Sequence, residues 1–93
     1  MNSFPPYLQI ASWRELKYIP PHFFSITIPF IPEVTVQENI TKWIRTTLEG
    51  RFFVGETSDL VNGKIARVYK VAFEEDTEVT RFILSCPYYQ LVY

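Results

Sequence analysis

Glycine is scarce in this sequence, at three residues in 93. A loop that wraps a phosphate brings successive backbone N–H groups against the anion and draws on glycine to do so. With so few, a phosphate-cradling loop is not expected. Cysteine and histidine occur once each, as Cys86 and His22. One cysteine cannot form an intrachain disulfide, which points to a reducing compartment and a cytoplasmic location. One imidazole and one thiol are too few for a metal centre built on nitrogen and sulfur. No HExxH, CxxC, GxxxxGK[ST], GxSxG or GxGxxG pattern is present, so neither a metal nor another cofactor is expected. An excess of charge of one sign is missing too. Nine Lys and Arg stand against ten Asp and Glu, which gives no global positive field to hold a phosphate backbone. No apolar run approaches 18 residues and no charged, then apolar, stretch opens the chain. Neither a membrane span nor a signal peptide is expected.

Aromatics are what the chain has in excess: eight Phe, six Tyr and two Trp, or 17%. An apolar fraction of 47% with 20% charged residues excludes the disordered class. The length fits one domain with a modest core. The rings either fill that core or face a partner.

Residues 1–21 read as an apolar N-terminal arm, with Pro5-Pro6 and Pro20-Pro21 at its ends. Between them lie Tyr7, Leu8, Ile10, Trp13, Leu16, Tyr18 and Ile19, too apolar for a free tail, so the arm packs on its own domain or on a neighbour. Ser12 and Glu15 have capping-box spacing and predict a short helix over 13–18. Residues 22–93 read as one α+β domain. Phe24, Ile26, Ile28 and Phe30 alternate with Phe23, Ser25, Thr27 and Pro29, the period of a half-buried strand. Thr35 and Glu38 fit a capping box and Gly50 a left-handed stop for the helix between them. Its buried stripe is Val36, Ile40, Trp43, Ile44, Thr47 and Leu48.

From Arg51 to Phe73 the sequence spells a hairpin that turns at Asn62-Gly63. A two-residue turn sets Val61 opposite Lys64, and the register follows: Phe52 with Phe73, Val54 with Val71, Glu56 with Tyr69, Leu60 with Ile65. These share the core side. If Gly55 to Asp59 loops out instead, the ladder is shorter. Glu74, Glu75, Asp76 and Glu78 read as the acidic first turn of a second helix, with metal or basic-partner binding the less favoured alternative. Its stripe is Val79, Phe82 and Ile83. Either it runs to Leu84 and Tyr88–Val92 is the last strand, or strand begins at Phe82; Pro87 breaks the chain in both cases.

The order strand, helix, hairpin, helix, strand predicts a ferredoxin-like β-α-β-β-α-β domain. Four antiparallel strands would carry two helices on one face. The other face would be bare and show Phe23, Ser25, Thr27, Phe53, Val68 and Lys70. The candidate interaction surface is therefore Phe23, Arg51, Phe53, Lys64, Val68 and Lys70, joined by Tyr7 and Trp13 of the arm. RNA-recognition motifs bind single strands on such a face through aromatics of the central strands. Here the last hairpin strand reads KIARVYKVAF and lacks their Gly-Phe and Phe-x-Phe/Tyr pattern. His22 reads as a surface residue and Cys86 as a small buried hydrophobe. The sequon at Asn39 falls mid-helix and is incidental. Lys42, Arg45 and Arg51 read as a solvated helix face rather than a patch for an acidic partner.

The strand, the Trp-containing helix and the stretch VYKVAFEEDTEVTRFIL resemble, over residues 22–86, small uncharacterised α/β proteins of large tailed phages. In these an aromatic strand runs into an acidic turn and a Phe-x-Leu segment, here Phe82-Ile83-Leu84. The resemblance implies phage origin and carries over no catalytic residue. Aromatic excess, small size and missing catalytic groups together lead to the expectation of a non-enzymatic protein–protein interaction module. It would act as a regulator or inhibitor of a host protein in the host cytoplasm. The alternatives are a virion or assembly component, a single-stranded RNA binder, and a small enzyme using Cys86 or His22. The expected partner is a host protein or a second copy; neither nucleic acid nor membrane is expected.

Overall fold

Asn62 and Gly63 have φ of 55° and 79°, the left-handed pair that a two-residue type I′ turn requires. This computed structural model describes residues 14–92, the side chains of 90–92 excepted. The turn fixes the register of two ten-residue strands, β2 (Phe52–Val61) and β3 (Lys64–Phe73). Their pairs are those expected: Phe52 with Phe73, Val54 with Val71, Glu56 with Tyr69, Leu60 with Ile65 and Val61 with Lys64. No loop interrupts the ladder between Gly55 and Asp59. β1 (Phe24–Ile28) pairs antiparallel with β3, from Phe24 opposite Phe73 to Ile28 opposite Tyr69.

The sheet corrects the ferredoxin-like expectation. Among the described residues it has three strands in the order β1-β3-β2. The segment expected as a fourth strand is instead a helix. Besides α1 (Val34–Thr47) and α2 (Asp76–Ser85), the chain forms α3 (Pro87–Val92). Proline explains this. Its φ is already helical and it lacks an N–H, so Pro87 suits the first turn of a helix as well as it breaks a strand. Cys86 is extended, at φ −77° and ψ 111°, and separates the two helices. Tyr88 and Tyr89 then pack on the core from α3, with the Tyr89 ring 5.0 Å from Phe82.

Three local expectations also change. α1 is capped by Glu33 rather than Thr35, with no side-chain bond from the cap. Gln37 reaches back instead, its Nε2 donating to Pro32 O at 2.7 Å and its N–H to Glu33 O at 2.9 Å. The helix ends in extended backbone at Leu48, and Gly50 is not left-handed, since Gly63 is the glycine with positive φ. Of the helix expected over 13–18, Arg14 is helical, whereas Glu15 forms an isolated parallel bridge with Phe52 and Leu16 N–H donates to Phe52 O at 2.8 Å.

The core lies between the sheet and the helices. Ile40, Ile44 and Leu48 of α1 and Phe82 of α2 bury Ile28, Phe52, Tyr69, Val71 and Phe73, with Cys86 closing one end. Trp43, Val36, Val79, Val54 and Ile26 pack around it. Phe24 and Ile65, expected in this core, are exposed: Phe24 opens the edge strand, and Ile65 lies beyond the third strand. On the opposite face Phe23, Phe53 and Ala72 form a second, smaller cluster beneath Leu16 and Ile19. That face is not bare at the base of the hairpin.

Candidate interaction surface

β1 stops at Ile28, opposite Tyr69. From Thr57 and Val68 outward the sheet is therefore a two-stranded ribbon, and the molecule measures 51 × 26 × 25 Å. Five residue pairs, from Thr57–Val68 to Val61–Lys64, extend it by about 17 Å. Alternation keeps the faces of the base, so Leu60 and Ile65 lie on the side that is core further down. None of α1, α2 and α3 covers them, and they are 69% and 78% exposed. Val61 is partly exposed beside them. Isolated ribbons are marginal in water, and this one is braced by ions. Arg67 Nη2 meets Glu56 Oε1 at 2.7 Å, and Lys70 Nζ meets Asp59 Oδ2 at 2.8 Å. The Lys70 ammonium and the Leu60 N–H hold the Asp59 carboxyl below the usual carboxylate range. These four charges are thus matched within the ribbon, and the tip beyond them presents Leu60, Val61 and Ile65 beside Lys64.

The expected surface residues divide. Phe23, Phe53 and Val68 are buried. Arg51 is exposed but engaged, its Nε and Nη2 donating to the two Glu74 carboxylate oxygens at 3.1 and 2.6 Å. That fork lowers the Glu74 carboxyl and raises the Arg51 guanidinium. Lys70 is largely covered by its bond to Asp59. Lys64 is exposed beside the turn. Tyr7 and Trp13 lie outside the described residues. The structure does not gather the six described residues into one surface. What sequence reasoning assigned to the core, Leu60 and Ile65, it places at a tip. A signal was available in lengths: a ten-residue strand spans about 33 Å, while the 14 residues of α1 span about 21 Å. Such a helix cannot cover such a ribbon.

A second constellation joins α1, β2 and α2. Glu78 is 8% exposed although it sits in the first turn of α2. Its Oε2 accepts the Glu49 and Gly50 N–H groups at 2.9 and 3.1 Å, and its Oε1 is buried without a partner. A Cβ on Gly50 would lie 2.8 Å from that Oε1, so glycine is there for the carboxylate's approach. Arg14 closes the same turn from the other side. Its guanidinium donates to Arg45 O, Leu48 O and Gly50 O at 3.1, 2.5 and 3.2 Å, and lies 5.6 Å from the Phe52 ring centre. Arg45 is ion-paired with Glu15. These groups satisfy backbone left over at the end of α1.

Burial pushes the Cys86 thiol up, away from the thiolate that nucleophilic chemistry needs. His22 is exposed with its ring edge-on to Phe23 at 5.0 Å. The acidic turn is divided among tasks: Glu75 is the N-cap of α2, Asp76 and Glu78 sit in its first turn, and Glu74 binds Arg51. Among the described residues no group of three or more His, Cys, Asp and Glu could hold a metal ion, and no helix is long and apolar enough to cross a membrane. No family model, curated protein or solved structure matches this chain.

Proposed function

We propose that this chain is a non-enzymatic protein–protein interaction module whose contact element is the tip of the β2–β3 ribbon. One observation carries the reading: Leu60 and Ile65 stand exposed at the end of a ribbon in which Glu56, Asp59, Arg67 and Lys70 are paired with one another. Apolar side chains held in water on a braced projection are stabilised by entering a pocket on another protein. The arm supplies reach, and the turn supplies a fixed presentation of the pair, so little order is lost on docking. If the chain is phage-encoded, as the resemblance implies, the partner is a host protein. Phe23 and Phe53 are buried, which weighs against a stacking platform for single-stranded RNA.

The test is affinity capture from a host lysate with the wild type and with the Leu60→Ser/Ile65→Ser variant, on the same scale. A stoichiometric partner held by the wild type and lost by the variant supports the reading. A partner held equally by both, or none by either, overturns it.

A further inference from the structure

The order β1-β3-β2 makes edges of β1 and β2, and the two edges are treated differently. Along β2 the base is occupied, with Glu15 bridged to Phe52 and Leu16 N–H bonded to Phe52 O. Further out β2 carries Glu56 and Asp59, both ion-paired. Charges and covering segments are the usual means by which an edge is kept from pairing with another chain. Among the described residues β1 has neither a charge of its own nor a strand on its outer side. Its five residues, Phe-Ser-Ile-Thr-Ile, include no charge and no proline, and its ladder to β3 has no bulge. Among the described residues no strand pairs with its outer side.

We propose that two copies of this chain pair along β1, antiparallel about a two-fold axis through Ile26. The register decides the occupant. With Ile26 opposite Ile26 of the second copy, Phe24 falls opposite Ile28, and Ser25 opposite Thr27. On the helix side every pair is then apolar with apolar, and on the other side hydroxyl meets hydroxyl, combinations that stabilise antiparallel ladders. A shift by one residue would set apolar against hydroxyl at every position, and Pro29 ends the ladder at five residues. An alternating strand of odd length is its own complement, which is what an isologous two-fold contact requires. The neighbouring surface agrees. Phe24 is 48% exposed on the helix side of β1, and Ile83 is 40% exposed on α2, which packs against β1 and β3. Pairing lays Phe24 over Ile28 of the second copy and continues the sheet to six strands. A contact this small falls below about 1,200 Å² and is reversible. Because the axis reverses strand direction, it points the two ribbon tips to opposite ends, giving a bivalent particle.

Sedimentation of the full chain across a concentration series is the test, with three variants beside it. The wild type is expected to pass from monomer to dimer as concentration rises. Ser25→Lys, which plants a charge against Thr27 of the other copy, is expected to weaken the dimer at least about tenfold. Adding Thr27→Glu to it restores association, because each introduced lysine then faces an introduced glutamate. The Leu60→Ser/Ile65→Ser variant dimerises like the wild type, which separates this edge from the ribbon tip. Amide exchange on the wild type needs no variant: the outward amides of β1 slow as concentration rises. A monomer at every concentration, a dimer indifferent to Ser25→Lys, loss of the dimer in the tip variant, or concentration-independent exchange in β1 would each overturn the proposal.

Discussion

β2 and β3 are one continuous ladder, yet its two ends live in different solvents. At the base, Phe52 faces Phe73, and both are buried beneath α1 and α2. At the tip, Leu60 faces Ile65 on the same side of the same ribbon, and both stand in water. Pairing and burial are therefore separate events in this molecule. The ladder is local, set by the Asn62-Gly63 turn and propagated pair by pair. Coverage is tertiary, and it ends where β1 and the helices end. Stability should reside at the base and recognition at the tip, and mutations should divide accordingly.

The largest effect is expected at the base. The Phe82 ring lies 5.5 Å from Phe73, 5.0 Å from Tyr89 and 5.9 Å from Trp43, so truncation empties the centre of the core. Phe82→Ala is expected to cost about 3–5 kcal/mol, read as a lower urea midpoint at unchanged slope. In a domain of this size that is much of the total. A loss no greater than that of a tip substitution would end the comparison.

Next comes the clamp that anchors the base. Glu78→Ala strips the Glu49 and Gly50 N–H groups of their acceptor, and a cost of about 2–3 kcal/mol is expected. Gly50→Ala drives a methyl towards Glu78 Oε1 and should cost about 1–3 kcal/mol. The two changes share one cause, so the double variant should lose less than the sum of the singles. Strict additivity in urea titrations would show that the glycine is not there for the carboxylate.

Alkaline pH addresses Tyr69, the last ring before the ribbon leaves the body. Burial, opposed by a hydrogen bond with Thr41, pushes its phenol from 10.0 to about 12. The folded state thus holds this proton more tightly than the unfolded chain. The stability it contributes is complete below pH 10 and is lost as pH rises towards 12. Tyr69→Phe should flatten the fall in urea midpoint over that range. An unchanged slope in Tyr69→Phe would show that the phenol titrates alike in both states.

These elements also mark where the sequence was legible. Turn chemistry and alternation gave the hairpin register without error, because both act between near neighbours. The stripe of α1 was equally plain. Position 87 was not: proline ends strands and begins helices, and the same residue supports either outcome until Tyr88 and Tyr89 are seen to pack on Phe82. Gly50 and Glu78 were read through local rules, as a stop and a dipole partner, whereas their roles depend on each other across 28 residues. Phe23, Phe53 and Val68, expected on the surface, are buried for a related reason. Alternation assigns a side chain to a face but says nothing of what covers that face. Leu16 and Ile19 cover Phe53, whereas Leu60 is left exposed.

The smallest effect on stability is expected at the tip, and it is the sharpest test of the comparison. Leu60 and Ile65 are exposed in the folded chain, so replacing them with serine removes little burial. They remain opposite each other between the Asp59–Ala66 and Val61–Lys64 pairs of β2 and β3, and the turn that fixes them is untouched. The cross-strand contact is worth about 0.2–1 kcal/mol, and little else changes because the two side chains stand in water in the folded and unfolded chain alike. Leu60→Ser/Ile65→Ser should therefore shift stability by at most about 1 kcal/mol, the far-UV spectrum should not change, and partner capture should be lost. A loss of stability near that of Phe82→Ala would mean that the tip belongs to the core after all. Its exposed pair would then stabilise the fold rather than meet a partner.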